Sequence, residues 1–149
     1  MDDEVRVRID GDADLVSARA EARAMAERLG FARPAPTLIA TAISEIARNI
    51  VVHVGRGEIV LTPLEEKDRC GLVVIARDEG PGIRNVEAAL RDEYTGRSGL
   101  GLGLPGARRL MDEFDITSDA DSGTTVTMKK WRLLDELERR REQRRRRDE

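Results

Sequence analysis

Residues 43–55 read ISEIARNIVVHVG, and the order of polar and apolar positions within them decides the fold. Successive helical residues turn by about 100°, so Ile39, Ile43, Ile46, Ile50 and Val54 fall within roughly 60° of one direction. That stripe predicts a core helix from about Thr37 to Val54, stopped at Gly55. Glu45, Asn49 and His53 recur every four residues along one border of the stripe, while Arg48 takes the solvent-facing centre. A carboxylate and an amide at such a border are partly desolvated and need partners. A solvated helix flank satisfies the pattern, and so does the wall of a site. In a site, Asn49 supplies an oxygen ligand for Mg²⁺, and Glu45 orients or deprotonates a hydroxyl. His53, on the same border, reads as a packed or hydrogen-bonded residue.

Working outward, VRVRI (5–9) alternates as a half-buried strand does. Asp12 or Asp14 is placed to cap a helix through LVSARAEARAMAERL, with Gly30 as its stop. EIVLTPLE and CGLVVIARD read as strands joined by the charged turn EKDR. NVEAALRD suggests a short helix, EYTGRSGLGLG a loop, and LPGARRLMDEF a helix entered through proline. FDITSDA and TTVTMKKW, split by DSG, predict a closing hairpin. The order predicts an α/β (α+β) two-layer sandwich, with helices on one face of a mixed sheet.

The 149 residues suit one domain with a proper core. Forty per cent are hydrophobic but only 3% aromatic, so that core must be aliphatic. A single cysteine, Cys70, excludes an internal disulfide. No signal-peptide pattern opens the chain and no unbroken run approaches the ~18 apolar residues of a membrane span, so a cytoplasmic protein without a membrane role is expected. Residues 139–149, RRREQRRRRDE, hold seven Arg against three acids, a local +4 that leaves −7 for the residues before them. An acidic body is not the footprint of a nucleic-acid-binding domain. From Trp131 on the chain favours helix, with Leu133, Leu134 and Leu137 as its apolar stripe. The expected division is therefore a domain over 1–131 and an Arg-rich helical or disordered tail over 132–149.

Two glycine clusters follow the helix. VVIARDEGPGI sends a strand into Asp78, where a carboxylate can accept a hydrogen bond from the amino group of a bound base. Gly80 and Gly82 let the backbone approach a ligand, although Asp-x-Gly-Pro-Gly also makes an ordinary turn. GRSGLGLGLPG places Gly96, Gly99, Gly101, Gly103 and Gly106 ahead of a helix, where backbone N–H groups can cradle phosphates. Arg97 and Ser98 sit where a γ-phosphate is sensed. Neither a Walker A motif nor a strand-linked dinucleotide fingerprint is present.

Taken in order, E45-x-x-x-N49-x-x-x-H53, D78-E-G-P-G-I83, G99-L-G-L-G-L104 and G123-T-T-V126 resemble the N, G1 and G2 boxes and closing Gly-Thr of the GHKL ATPase/kinase superfamily, with its Bergerat fold. The resemblance runs from about residue 37 to 130. TAISEIARNI, DEGPGI and LGLPGARRLMDEF resemble the small serine/threonine switch kinases of the bacterial stressosome more than the anti-sigma-factor kinases. The resemblance implies that Asn49 coordinates Mg²⁺ on the ATP phosphates and that Glu45 is the general base. It implies that Asp78 binds the adenine amino group, with Gly80, Gly82 and Ile83 shaping that pocket and Thr124 supporting it. It also implies that Gly99, Leu100, Gly101, Leu102 and Gly103 cover the phosphates beside Arg97 and Ser98. The implied activity is transfer of the ATP γ-phosphoryl to serine or threonine of STAS-domain scaffold or antagonist proteins, followed by release to activate a serine phosphatase. Two rivals remain: an anti-sigma factor with kinase activity, and a binding module switched by nucleotide without transfer.

Overall fold

The computed structural model describes residues 4–82, 103–119 and 121–148. In chain order the elements are β1 (Val5–Ile9), α1 (Asp12–Arg28), α2 (Ala35–His53), β2 (Gly57–Glu65), β3 (Arg69–Asp78), α3 (Gly103–Leu110), β4 (Glu113–Asp119), β5 (Gly123–Leu133) and α4 (Glu136–Arg147). The strands form one sheet in the order β1-β2-β3-β5-β4. The two-layer architecture is the expected one, but the sheet is antiparallel throughout rather than mixed. For two of the four pairings the reason is local: β2–β3 and β4–β5 are joined by turns of three residues, which only antiparallel neighbours allow.

Alternation along the strands sorts the sheet into two faces. Ile9, Ile59, Leu61, Leu72, Val74 and Met128 are fully enclosed on the helix side. Ile39, Ile43, Ile46 and Ile50 of α2 meet them, as the wheel predicts, and Ala18, Ala22 and Ala26 let α1 lie close beside α2. Fully burying each aliphatic side chain contributes about 1.5–3 kcal/mol, so an aliphatic core of this size needs no aromatic layer. By length and composition alone α2, at 19 residues, would suit a membrane span. Its isoleucine stripe instead lies in the core.

Several local expectations are corrected. Helix α1 starts at Asp12, and its N-cap is Gly11 rather than Asp12 or Asp14. Asp14 acts from inside the first turn, its carboxylate accepting the N–H groups of Asp10 (2.7 Å) and Gly11 (3.2 Å). Helix α3 ends at Leu110, because Glu113 and Phe114 are already paired in β4. Arg48 is half-buried rather than fully solvent-facing, and its Nε is sealed without a hydrogen-bond partner among the described residues. The short helix expected at NVEAALRD and the loop EYTGRSGLGL lie outside the described residues.

Strand β5 runs on to Leu133, opposite Arg69, before Asp135 caps α4. Asp135 accepts the N–H of Glu138 (2.8 Å) while Glu138 accepts that of Asp135 (3.2 Å), a reciprocal capping box. Leu133 and Leu137 are 78% and 57% exposed, so the expected leucine stripe does not seat α4 on the body. Polar contacts do. Arg132 grips both oxygens of Glu138 at 2.9 and 2.8 Å, and Arg145 reaches Glu65 at 3.0 Å. That grip and the Asp135 N–H hold the Glu138 carboxyl down at about 2, below its ordinary 4.5.

Candidate nucleotide site

The register of β3 on β5 sets Asp78 beside Thr124, and that of β4 on β5 sets Ser118 beside Thr124. Asp78, Thr124 and Ser118 thus form a row across three strands, continuing the core-facing positions Ala76, Val126 and Ile116 beyond the edge of the core. Asp78 Oδ1 accepts the backbone N–H groups of Gly80 (2.9 Å) and Thr124 (3.3 Å). Its Oδ2 has no partner among the described residues. Thr124 is buried, and its hydroxyl shares a hydrogen bond with that of Ser118 at 2.8 Å. A fixed carboxylate with one oxygen left over suits an amino-group donor such as adenine carries. Ser118 is the member that sequence reading missed. Its alternation inside FDITSDA marked it as core-facing, but nothing local linked it to Thr124.

Glycines close the surroundings for a physical reason. A Cβ on Gly80 would strike the side chain of Val54 at the end of α2. Gly82 has φ +78° and packs on the backbone of Asp119, and Gly123 has φ +82° and packs on the backbone of Asp78. Side chains at these positions would prise apart the loop after β3 and the hairpin β4–β5. Gly57 lies between Ile50 and Asp78, which brings the last turns of α2 to the same place.

Along α2 the polar row divides by depth. Glu45 is only 9% exposed, Asn49 is half-buried, and His53 is exposed. Glu45 Oε1 accepts the backbone N–H of Gly103 at 2.8 Å, the first residue of α3. Gly103 has φ +63°, a turn into the helix that side chains rarely adopt. No described residue bonds the Asn49 carboxamide, leaving its oxygen available to a cation. Among the described residues no group of three or more His, Cys, Asp or Glu could hold a metal by itself. A single amide oxygen fits Mg²⁺ held mainly by phosphates and water, the usual arrangement at phosphoryl-transfer sites. Ile83, Arg97, Ser98, Gly99, Leu100, Gly101 and Leu102 lie outside the described residues.

Residues 10–130 match the Histidine kinase-like ATPase domain, which spans every element from α1 nearly to the end of β5. The chain belongs to this family. It is 43% identical over 131 residues to the serine/threonine-protein kinase RsbT of Bacillus subtilis (strain 168), covering 88% of this chain and 98% of the relative. An anti-sigma F factor of Clostridium novyi (strain NT) is 36% identical over 103 residues, which is 63% of this chain and 69% of that one. Among solved structures, the RsbU and RsbW domains of Rv1364c from Mycobacterium tuberculosis match with a TM-score of 0.58 and 24% identity, over 87% of this chain and 32% of that one. That likeness concerns the fold. The histidine kinase-like ATPase membership and the RsbT relationship agree with the GHKL resemblance carried by the four sequence boxes.

Proposed function

We propose that this chain, an ATP-dependent kinase by its family and its RsbT relationship, phosphorylates serine or threonine on STAS-domain scaffold or antagonist proteins of a stressosome-like complex, and then binds and activates a serine phosphatase. The observation that supports the reading is the packing of the last turns of α2, at Ile50 and Val54, against Gly57 and Gly80 at the end of the sheet where Asp78 pairs with Thr124.

In this reading Asp78 Oδ2 accepts the adenine amino group, with the Thr124 hydroxyl oriented by Ser118 beneath it. Gly80, Gly82 and Ile83 line the base. Asn49 would hold Mg²⁺, which would supply charge neutralisation at the phosphates. Gly99, Leu100, Gly101, Leu102 and Gly103, with Arg97 and Ser98, offer donors to the phosphates. Glu45 takes the proton of the incoming hydroxyl as that oxygen bonds to the γ-phosphorus. The bond from the γ-phosphorus to the β–γ bridging oxygen breaks, and ADP leaves with the electron pair. General-base assistance contributes typically 10²–10⁴-fold, the remainder coming from positioning and charge neutralisation. A cytoplasmic address accompanies this reading.

The test is γ-labelled ATP with purified STAS-domain proteins of the same organism. Label on a serine or threonine of one of them supports the reading. Tight ATP binding without label on any partner would make the chain a nucleotide-switched binding module. Co-purification with a sigma factor would favour the anti-sigma alternative, which the Clostridium relatives' names motivate.

A further inference from the structure

The four N-terminal N–H groups of a helix have no partner inside it, and in α3 the first of them is that of Gly103. Its first residue is Gly103, with no side chain and a left-handed φ, and its third is Pro105, with no N–H at all. The partner comes from 58 residues away: the nearly buried carboxylate of Glu45, at 2.8 Å from the Gly103 nitrogen. An anion at this end also meets the positive pole of the helix dipole. Helix α3 otherwise adheres through the short apolar face of Leu104, Pro105 and Ala107, so one directed bond weighs heavily in where it begins.

We infer that Glu45 is the positioning residue of α3: its carboxylate, carried on the rigid α2, fixes the start of α3 and with it the place of the Gly103 N–H. This rests on the proposed placement of Glu45 and Gly103 beside the nucleotide, and it adds a role that acts before any chemistry. A carboxylate that both anchors the helix and accepts a proton would use a different oxygen for each, Oε1 being taken by Gly103.

The two roles separate by substitution. Glu45→Gln keeps an acceptor oxygen of the same reach but cannot take a proton, whereas Glu45→Met keeps the volume and loses the acceptor. Amide hydrogen exchange over residues 103–110 in the nucleotide-free protein, and affinity for ADP, read the positioning role without any turnover. Glu45→Gln keeps the bond without its charge and is expected to lose about fivefold or less in both. Glu45→Met should lose about thirtyfold or more in protection and in ADP affinity, the loss of one whole charge-assisted bond. Glu45→Ala removes the acceptor by another route and has to show the same loss. If Met and Ala match Gln in exchange and affinity, the positioning role is overturned, whatever turnover does. If Gln retains full turnover, the general-base assignment fails, while a Met–Gln difference still upholds the positioning role.

Discussion

Replacing Asp78 by Asn asks the adenine site and the fold two different questions. In the parent, Oδ1 accepts two backbone N–H groups, at 2.9 Å from Gly80 and 3.3 Å from Thr124. An Asn oxygen can accept both, so the loop after β3 and the start of β5 stay joined. Each bond drops from charge-assisted, about 1.5–3 kcal/mol, to neutral, about 0.5–1.5. Because Asp78 is half-buried and the second bond is long, the total cost comes to about 1 kcal/mol, or a Tm lower by about 2–4 °C. The other side-chain atom changes more. Where Oδ2 would accept the adenine amino group, Asn presents an N–H donor against a donor. Mispairing of buried polar groups costs roughly 1–3 kcal/mol, about tenfold to a hundredfold in ATP affinity. Asp78→Ala reverses the balance by orphaning both N–H groups, with an expected loss of about 2–4 kcal/mol in stability. Calorimetric titration with ATP and thermal unfolding on the same preparations measure both effects. A folded Asp78→Asn protein that binds ATP as tightly as the parent refutes the adenine assignment. If the proposed phosphatase activation holds, it is expected to persist in this variant, since the change lies at the proposed pocket. Joint loss of both activities would mean that nucleotide occupancy governs the partner surface.

Asn49→Ala should nearly abolish phosphoryl transfer while costing under about 1 kcal/mol in stability, because Asn49 is half-buried and makes no described hydrogen bond; parent-like transfer at limiting Mg²⁺ would remove it from the metal. The Arg132–Glu138 pair predicts a pH dependence: the folded Glu138 carboxyl is depressed from 4.5 to about 2, chiefly by Arg132. Its stabilisation is therefore full above pH 4.5 and lost as the pH falls toward 2. With the Glu138 side chain 34% exposed, solvent screening reduces the nominal shift to about 1 kcal/mol. That loss should be present in denaturant titrations of the parent and absent from Arg132→Met; equal slopes in both would refute it. Deleting residues 139–149 should weaken binding of an acidic partner, and the intact complex should loosen with salt, since Arg140, Arg141, Arg144 and Arg147 are exposed on α4. Partner affinity insensitive to both changes leaves α4 as a solvated appendage.

Periodicity alone determined the isoleucine stripe of α2, the alternation of β1 and the hairpin pairs β2–β3 and β4–β5, because burial on one face is a property of neighbouring residues. The order of the glycine boxes likewise marked Asp78, Gly80, Gly82 and Gly123 before any geometry. The depth of Glu45 was less legible. A helical wheel places it on a border, but whether that border is wet depends on α3, which packs there from 58 residues further along the chain. The same limit applies to the hydroxyl bond of Ser118 and Thr124, to the sealed Nε of Arg48 and to the Gly11 cap of α1. The leucines after Trp131 failed in the opposite sense: their spacing suits an apolar stripe, yet Leu133 and Leu137 face water, and Arg132 and Arg145 hold α4 instead. Local pattern reports that a side chain needs a partner. Only the tertiary structure supplies one, because register and helix packing bring distant backbone donors and side chains within hydrogen-bond reach.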